Sequence, residues 1–114
     1  MRGIHNYENI CAAIAATSDL VSTEVQIEAI KEFNGVEHRL EFVRELDGVK
    51  WYNDSIGTSP TRTIAGLYSF DERIILIAGG YDKNLDYAPL AKPILEKADK
   101  IILMGETAPK IEAA

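Results

Sequence analysis

Hydrophobic positions recur at two different spacings along this chain, and the change between them divides it near residue 35. Ile10, Ala13, Ile14 and Thr17 repeat at helical intervals, and four alanines among residues 12–16 favour a helix, so the pattern predicts one over residues 6–17. Val25, Ala29, Ile30 and Phe33 give a second stripe over residues 24–33. Thr23 stands where a cap belongs, with Gln26 three residues on as in a capping box, and Asn34-Gly35 offers the residues that tolerate positive φ after a helix.

Beyond residue 35 the runs shorten. Leu40–Arg44 and Val49–Tyr52 are rich in strand formers, and Asp47-Gly48 between them is a two-residue hairpin signal. Thr61–Tyr68 reads as a helix with Pro60 near its first turn. Ile74–Ala78 is a continuous apolar run, as in a strand buried on both faces and ended by Gly79-Gly80. A helix follows over residues 87–97, with Pro89 in its first turn and Pro93 as a kink. Lys100–Met104 reads as a second buried strand ended by Gly105, and Pro109-Lys110-Ile111 opens another helix. A hairpin leading into alternating helices and strands predicts an α/β fold with a parallel sheet. Two parallel strands are few for a doubly wound sheet, so the expectation is a fragment whose sheet is completed by other residues.

Composition narrows the function classes. A chain of 114 residues with 46% hydrophobic residues can build one small core. The net charge of −6 is spread along the chain without a basic face, which argues against a nucleic-acid partner. A lone cysteine, Cys11, excludes an internal disulfide framework and suits a reducing, cytoplasmic setting; in its alanine-rich stretch it reads as a small core filler. No apolar run approaches the ~18 residues of a membrane span, and the start of the chain, Met1-Arg2-Gly3-Ile4, has no signal-peptide pattern.

Four polar stretches interrupt these apolar surroundings. In open α/β sheets, ligands bind beyond the carboxyl ends of the strands. Gly79-Gly80-Tyr81-Asp82-Lys83 lies at such an end, where paired glycines let a ligand approach and Lys83 could hold a carboxylate or phosphate; the alternative is a surface turn with a solvated lysine. Asn53-Asp54-Ser55 offers a carboxylate for ribose hydroxyls or a metal, or else a helix cap, although Thr58 and Ser59 are also cap candidates. Arg39, after His38, could bind phosphate or pair with a surface acid. Asn6 and Asn9 share one helix face and could read a nucleoside or simply decorate a helix start. No phosphate-cradling G-x-x-x-x-G-K-[ST] loop, no His/Cys cluster with metal-ligand spacing and no nucleophile motif occurs.

Taken in order, these stretches resemble the Mur ligase family. Gly3-Ile4-His5-Asn6-Tyr7-Glu8-Asn9 is similar to the G-x-H-N-x-x-N motif that ends the family's central ATPase domain. Glu37–Glu41 is similar to the H-R-x-E stretch that opens its C-terminal domain, and Asn53-Asp54-Ser55 with Thr58 resembles the N-D-S-K-A-T-N stretch of the D-glutamate-adding branch. Gly79–Lys83 resembles that branch's G-G-x-x-K loop. The resemblance implies that residues 1–34 close the central domain and residues 35–114 form a truncated, Rossmann-like, amino-acid-binding C-terminal domain. It implies a cytoplasmic, monomeric enzyme of peptidoglycan synthesis, an ATP-dependent carbon–nitrogen ligase that adds D-glutamate to UDP-N-acetylmuramoyl-L-alanine through an acyl phosphate. Mg2+ would be bound mainly by parts outside this chain.

By position in the motifs, Asn6, Asn9, Arg39 and Asp54 would contact ATP, and Thr58 and Lys83 would hold D-glutamate. The family's lysine after N-D-S is Ile56 here, which cannot pair with an anion. That departure leaves room for a Rossmann-like binding domain without catalysis, and a different amide ligase of the superfamily, such as a glutamate-adding folate enzyme, is a further alternative.

Overall fold

The computed structural model describes residues 3–114, so the extreme N-terminus considered above as a targeting signal lies outside it. The chain divides into two compact units, Met1–Asp54 and Ser55–Ala114.

The first unit begins with two helices, α1 (Ile4–Thr17) and α2 (Thr23–Glu32). They are joined by a polar clasp: the Gln26 carboxamide, buried in α2, donates to the Ile14 carbonyl at 3.1 Å and to Thr17 Oγ1 at 2.8 Å. Such a bond matters because a buried amide without partners costs ~1–3 kcal/mol. Gln26 therefore ties two helices together where its spacing suggested half of a capping box. Thr23 lies inside α2, and Ser22 occupies the cap position without a side-chain cap bond. The helix ends at Glu32 with Phe33 already extended; Gly35 takes the positive φ of 102° two residues further on. Cys11 is exposed and α1 buries no residue, so the cysteine fills no core in this unit.

The hairpin forms as its pattern predicts. Strands β1 (Glu41–Leu46) and β2 (Val49–Asn53) pair antiparallel. Asp47 and Gly48 both have positive φ, 52° and 78°, the signature of a type I′ turn, whose twist matches that of the strands. Register slips between Phe42 and Arg44, which leaves Val43 as the extra residue of a bulge. Phe42 faces Tyr52 across the strands with ring centroids 5.6 Å apart, edge to face.

The second unit is α/β. Helix α3 (Pro60–Leu67) starts with proline at its first position, where no donor is lost. Strands β3 (Ile74–Gly80) and β4 (Ala98–Gly105) are parallel, linked by a 3₁₀ turn at Ala88–Leu90 and helix α4 (Ala91–Lys97), and α5 (Ala108–Ala113) follows. Pro93 is the third residue of α4, within the first turn, so it removes no helical bond; the break falls earlier, where the 3₁₀ turn gives way to α4. The core lies where α3 meets the turn and α4: Leu67, Phe70, Leu90, Pro93 and Ala98 are buried there. Arg73 closes the lower end of this core. Its guanidinium donates to the carbonyls of Leu95, Glu96 and Ala98 and pairs with Asp99 at 2.6 Å, while Lys97 Nζ donates to the Phe70 carbonyl. One arginine thereby satisfies the orphan carbonyls at the end of α4 and binds them to the start of β3.

Two expectations for the sheet are corrected. The run Ile74–Ala78 is not buried on both faces. Exposure alternates along β3, with Ile75 58% and Ile77 51% exposed, and on β4 Ile102 and Met104 are open as well. Helices α4 and α5 pack on this two-stranded sheet, and these four side chains stay open. Nor do Gly79 and Gly80 end β3: they are its last two paired residues, opposite Met104 and Gly105.

Candidate functional site

The carboxyl ends of β3 and β4 lie side by side, and the segment after each is tied to the other. The Gly80 carbonyl accepts from the Thr107 backbone N–H at 3.2 Å and from Thr107 Oγ1 at 3.4 Å, and Thr107 is nearly fully buried. Asp82 is the hub of the loop that follows. Its Oδ1 accepts the Asn84 N–H at 2.8 Å, its Oδ2 meets Lys110 Nζ of α5 at 2.5 Å, and its own N–H donates to Glu106 Oε2 at 3.3 Å. The Lys110 ammonium, with the Asn84 N–H, holds the Asp82 carboxyl below the usual carboxylate range; Asp82 in turn raises the Lys110 pKa.

Lys83 sits at the top of this turn, between Asp82 and Asn84, the latter at a positive φ of 58°. It is exposed, and among the described residues it makes no ion pair or side-chain hydrogen bond. A cation held on a constrained loop beyond the carboxyl ends of parallel strands can take up a carboxylate or phosphate. Thr58, the other predicted amino-acid contact, is exposed just before α3, its N–H bonded to the Ile56 carbonyl at 2.9 Å. Ile56, at the position of the missing lysine, is 48% exposed. Ser59 takes the cap position of α3, with no side-chain cap bond, so neither cap candidate uses its hydroxyl that way.

In the first unit, Arg39 and Asp54 meet in one local arrangement. His38 and Leu40, on either side of Arg39, both have positive φ, 63° and 46°. Side chains at such positions cost roughly 1–3 kcal/mol each and persist only when neighbours hold them. The neighbours here are motif residues. Asp54 Oδ1 accepts the Leu40 N–H at 3.0 Å, Glu41 Oε2 accepts the His38 N–H at 2.8 Å, and the Asn53 carboxamide stands 2.9 Å from His38 Nδ1. The two carboxylates and the carboxamide therefore set the backbone that carries Arg39. Asp54 serves as an anchor as well as a candidate ligand. Asn6 and Asn9 lie three residues apart on α1, hence on one face of it. The six predicted residues thus fall in two groups: Asn6, Asn9, Arg39 and Asp54 in the first unit, Thr58 and Lys83 in the second.

The sequence of Glu37–Glu41, Asn53–Thr58 and Gly79–Lys83 thus coincides with the constrained turns of the structure. The family profile described as "Mur ligase, glutamate ligase domain" matches residues 38–114. The chain belongs to the Mur ligase family. Relatives within it cover nearly the whole of this Mur ligase chain. The UDP-N-acetylmuramoylalanine--D-glutamate ligase of Acetivibrio thermocellus is 57% identical over 110 residues, 96% of this chain and 24% of that protein. Those of Clostridium beijerinckii and Clostridium novyi are 56% and 53% identical over 98% and 100% of this chain, and 24% and 25% of their own lengths. The chain therefore spans about a quarter of the length of the curated relatives it matches.

The sequence singles out Lys83 as a candidate but not the contacts that fix its loop. Asp82 is an unspecified position of the G-G-x-x-K stretch, and nothing in the sequence links it to Glu106 or to Lys110, which is 28 residues away. Among the described residues no group of three or more His, Cys, Asp or Glu could hold a metal ion. No helix among the described residues is long and apolar enough to cross a membrane.

Proposed function

We propose that this chain is the amino-acid-binding part of a cytoplasmic, monomeric ATP-dependent ligase of peptidoglycan synthesis, which joins D-glutamate to UDP-N-acetylmuramoyl-L-alanine. The observation that carries the reading is the match of nearly the whole chain to relatives named for that reaction, with Lys83 held on the Asp82 turn where such a substrate would lie. Residues 1–34 would close the central ATPase domain and residues 35–114 would open the C-terminal domain. In that reaction the carboxylate of the nucleotide substrate would take the γ-phosphoryl group of ATP, releasing ADP, and the amine of D-glutamate would then attack the acyl carbon, displacing phosphate and losing a proton.

The residues of this chain bind and orient. The Lys83 ammonium would take one carboxylate of D-glutamate and Thr58 Oγ1 would donate to a carboxylate oxygen, which aims the uncharged amine. Holding a nucleophile in place in this way can lower a barrier by several kcal/mol, up to ~7–11 in favourable cases. Arg39, Asp54, Asn6 and Asn9 would contact ATP: the guanidinium at phosphate, the Asp54 carboxylate at ribose hydroxyls and the carboxamides at the adenosine.

The reading is tested with the purified full-length protein, ATP, Mg2+ and UDP-N-acetylmuramoyl-L-alanine, offered D-glutamate, L-glutamate or a diamino acid in parallel. Product mass should report a D-glutamyl adduct and stoichiometric phosphate release with D-glutamate alone. An adduct formed preferentially with another amino acid, or none with D-glutamate, contradicts it.

A further inference from the structure

We infer that Asp82 and Lys110 are a positioning pair for Lys83, locking the amino-acid-binding loop onto α5. The inference rests on the proposal that Lys83 binds the amino-acid substrate. Lys83 is exposed and its own side chain has no partner among the described residues, so what restrains its position is the backbone on either side. That backbone is pinned at three points. Gly80 is held through its carbonyl by Thr107. Asp82 is held by Lys110 through its side chain and, through its N–H, faces Glu106. Asn84 is held by its N–H on Asp82 Oδ1, in a left-handed conformation that an asparagine adopts more readily than most residues.

Both oxygens of the Asp82 carboxylate are thus in use: one makes the turn around Lys83 and the other fastens that turn to α5. The geometry also separates two cations by role. Lys110 neutralises Asp82, so the carboxylate next to Lys83 is already satisfied and does not compete for the Lys83 ammonium. Without Lys110, Asp82 would be a free anion one residue from the substrate-binding cation, able to draw Lys83 toward itself and to repel an incoming dicarboxylate. Lys110 therefore acts on substrate through Asp82 and Lys83 and touches none of it.

The test uses the full-length ligase and steady-state kinetics for D-glutamate and for ATP. Lys110→Met should raise the KM for D-glutamate about three- to fivefold, the scale of a partly exposed ion pair, and leave the KM for ATP and the melting temperature unchanged. Lys110→Arg, which keeps the charge on Asp82, should return D-glutamate KM to within about twofold of the parent. In Asp82→Asn the anion is gone while an oxygen remains for the Asn84 N–H, so adding Lys110→Met to it should bring no further loss. A parent-like D-glutamate KM in Lys110→Met, equal rises in both KM values, or failure of arginine to rescue overturns the inference. Lys83→Ala separates the two layers. If it raises D-glutamate KM while Lys110→Met does not, the positioning role alone falls. If Lys83→Ala leaves D-glutamate KM unchanged, the binding role of Lys83 falls and takes the positioning role with it.

Discussion

A single methyl group at Gly79 should loosen the sheet that carries the candidate site, and the effect can be worked from two separate observations. Gly79 has φ of 132° and pairs with Met104 across β3 and β4. A Cβ added there would lie 1.8 Å from the Met104 carbonyl oxygen and 2.8 Å from its carbon, a backbone contact that no side-chain movement relieves. Gly80 has a similar φ of 138°, yet a Cβ added there meets nothing within 4 Å. Gly80→Ala thus measures backbone strain alone, roughly 1–3 kcal/mol. Gly79→Ala adds the clash, which the two strands can relieve only by parting, and a total of ~4 kcal/mol or more follows if the local pairing is lost. Native-state hydrogen exchange of residues 74–80 and 98–105 in the full-length protein reads this locally. Each ~1.4 kcal/mol accelerates exchange about tenfold, so Gly79→Ala should exceed Gly80→Ala by about tenfold or more in both strands. Equal acceleration in the two variants, or protection in Gly79→Ala like that of the parent, would refute the close approach of β3 to Met104.

The remaining predictions follow the same residues. Asp54→Asn keeps an acceptor for the Leu40 N–H but removes the charge, so the apparent KM for ATP should rise roughly tenfold, the loss of a hydrogen bond to a charged group, while hairpin exchange stays as in the parent; unchanged ATP kinetics would leave Asp54 only its anchoring role. Leu67→Ala removes the most buried apolar side chain described in the second unit, 2% exposed, and should cost ~2–5 kcal/mol of local stability, read as faster exchange in α3 and α4; a change below ~1 kcal/mol would mean the site collapses around the cavity. The Asp82–Lys110 pair carries a pH signature. The folded-state pKa of Asp82 is depressed, so its contribution is present above the ordinary carboxylate range and fades as pH falls through the lowered value; that of Lys110 is raised, so its contribution is present below the ordinary lysine value and fades only as pH climbs past it. The other titratable groups there are Tyr81, Lys83, Asp86 and Tyr87 of the loop and Glu106 beside it. Opening of residues 81–87, corrected for intrinsic exchange, should stay level from about pH 5 to 9; a step within that range would point to another group.

Much of the fold could be read from the chain because the signals were local. Asp47-Gly48 specifies a type I′ turn by itself, and both residues take the positive φ it demands. The alternation of apolar runs and helical stripes likewise predicts the parallel pairing of β3 with β4. What could not be read depends on distant partners. An apolar run such as Ile74–Ala78 does not say which of its faces is covered, and Ile75 and Ile77 are open here. Gly79-Gly80 reads as a stop because glycine usually interrupts a strand, whereas the register brings Met104 so close that only glycine fits. Gln26 mimics a capping box while its amide reaches back to α1, 12 residues away. At the candidate site Lys83 stands out in the sequence because it follows an apolar run and a glycine pair. Asp82 and Lys110 do not, since an ion pair spanning 28 residues leaves no pattern in a sequence.

If the carboxyl edge of β3 holds the amino acid rather than the nucleotide, Lys83→Ala in the full-length ligase should separate the two substrates. D-glutamate KM and ATP KM are determined on the same preparation. The account predicts a rise in D-glutamate KM of about tenfold or more, the loss of a charge-assisted hydrogen bond, with ATP KM unchanged and the acyl phosphate still formed, because that step does not require the amino acid. Normal use of D-glutamate, or an equal loss for both substrates, would contradict it.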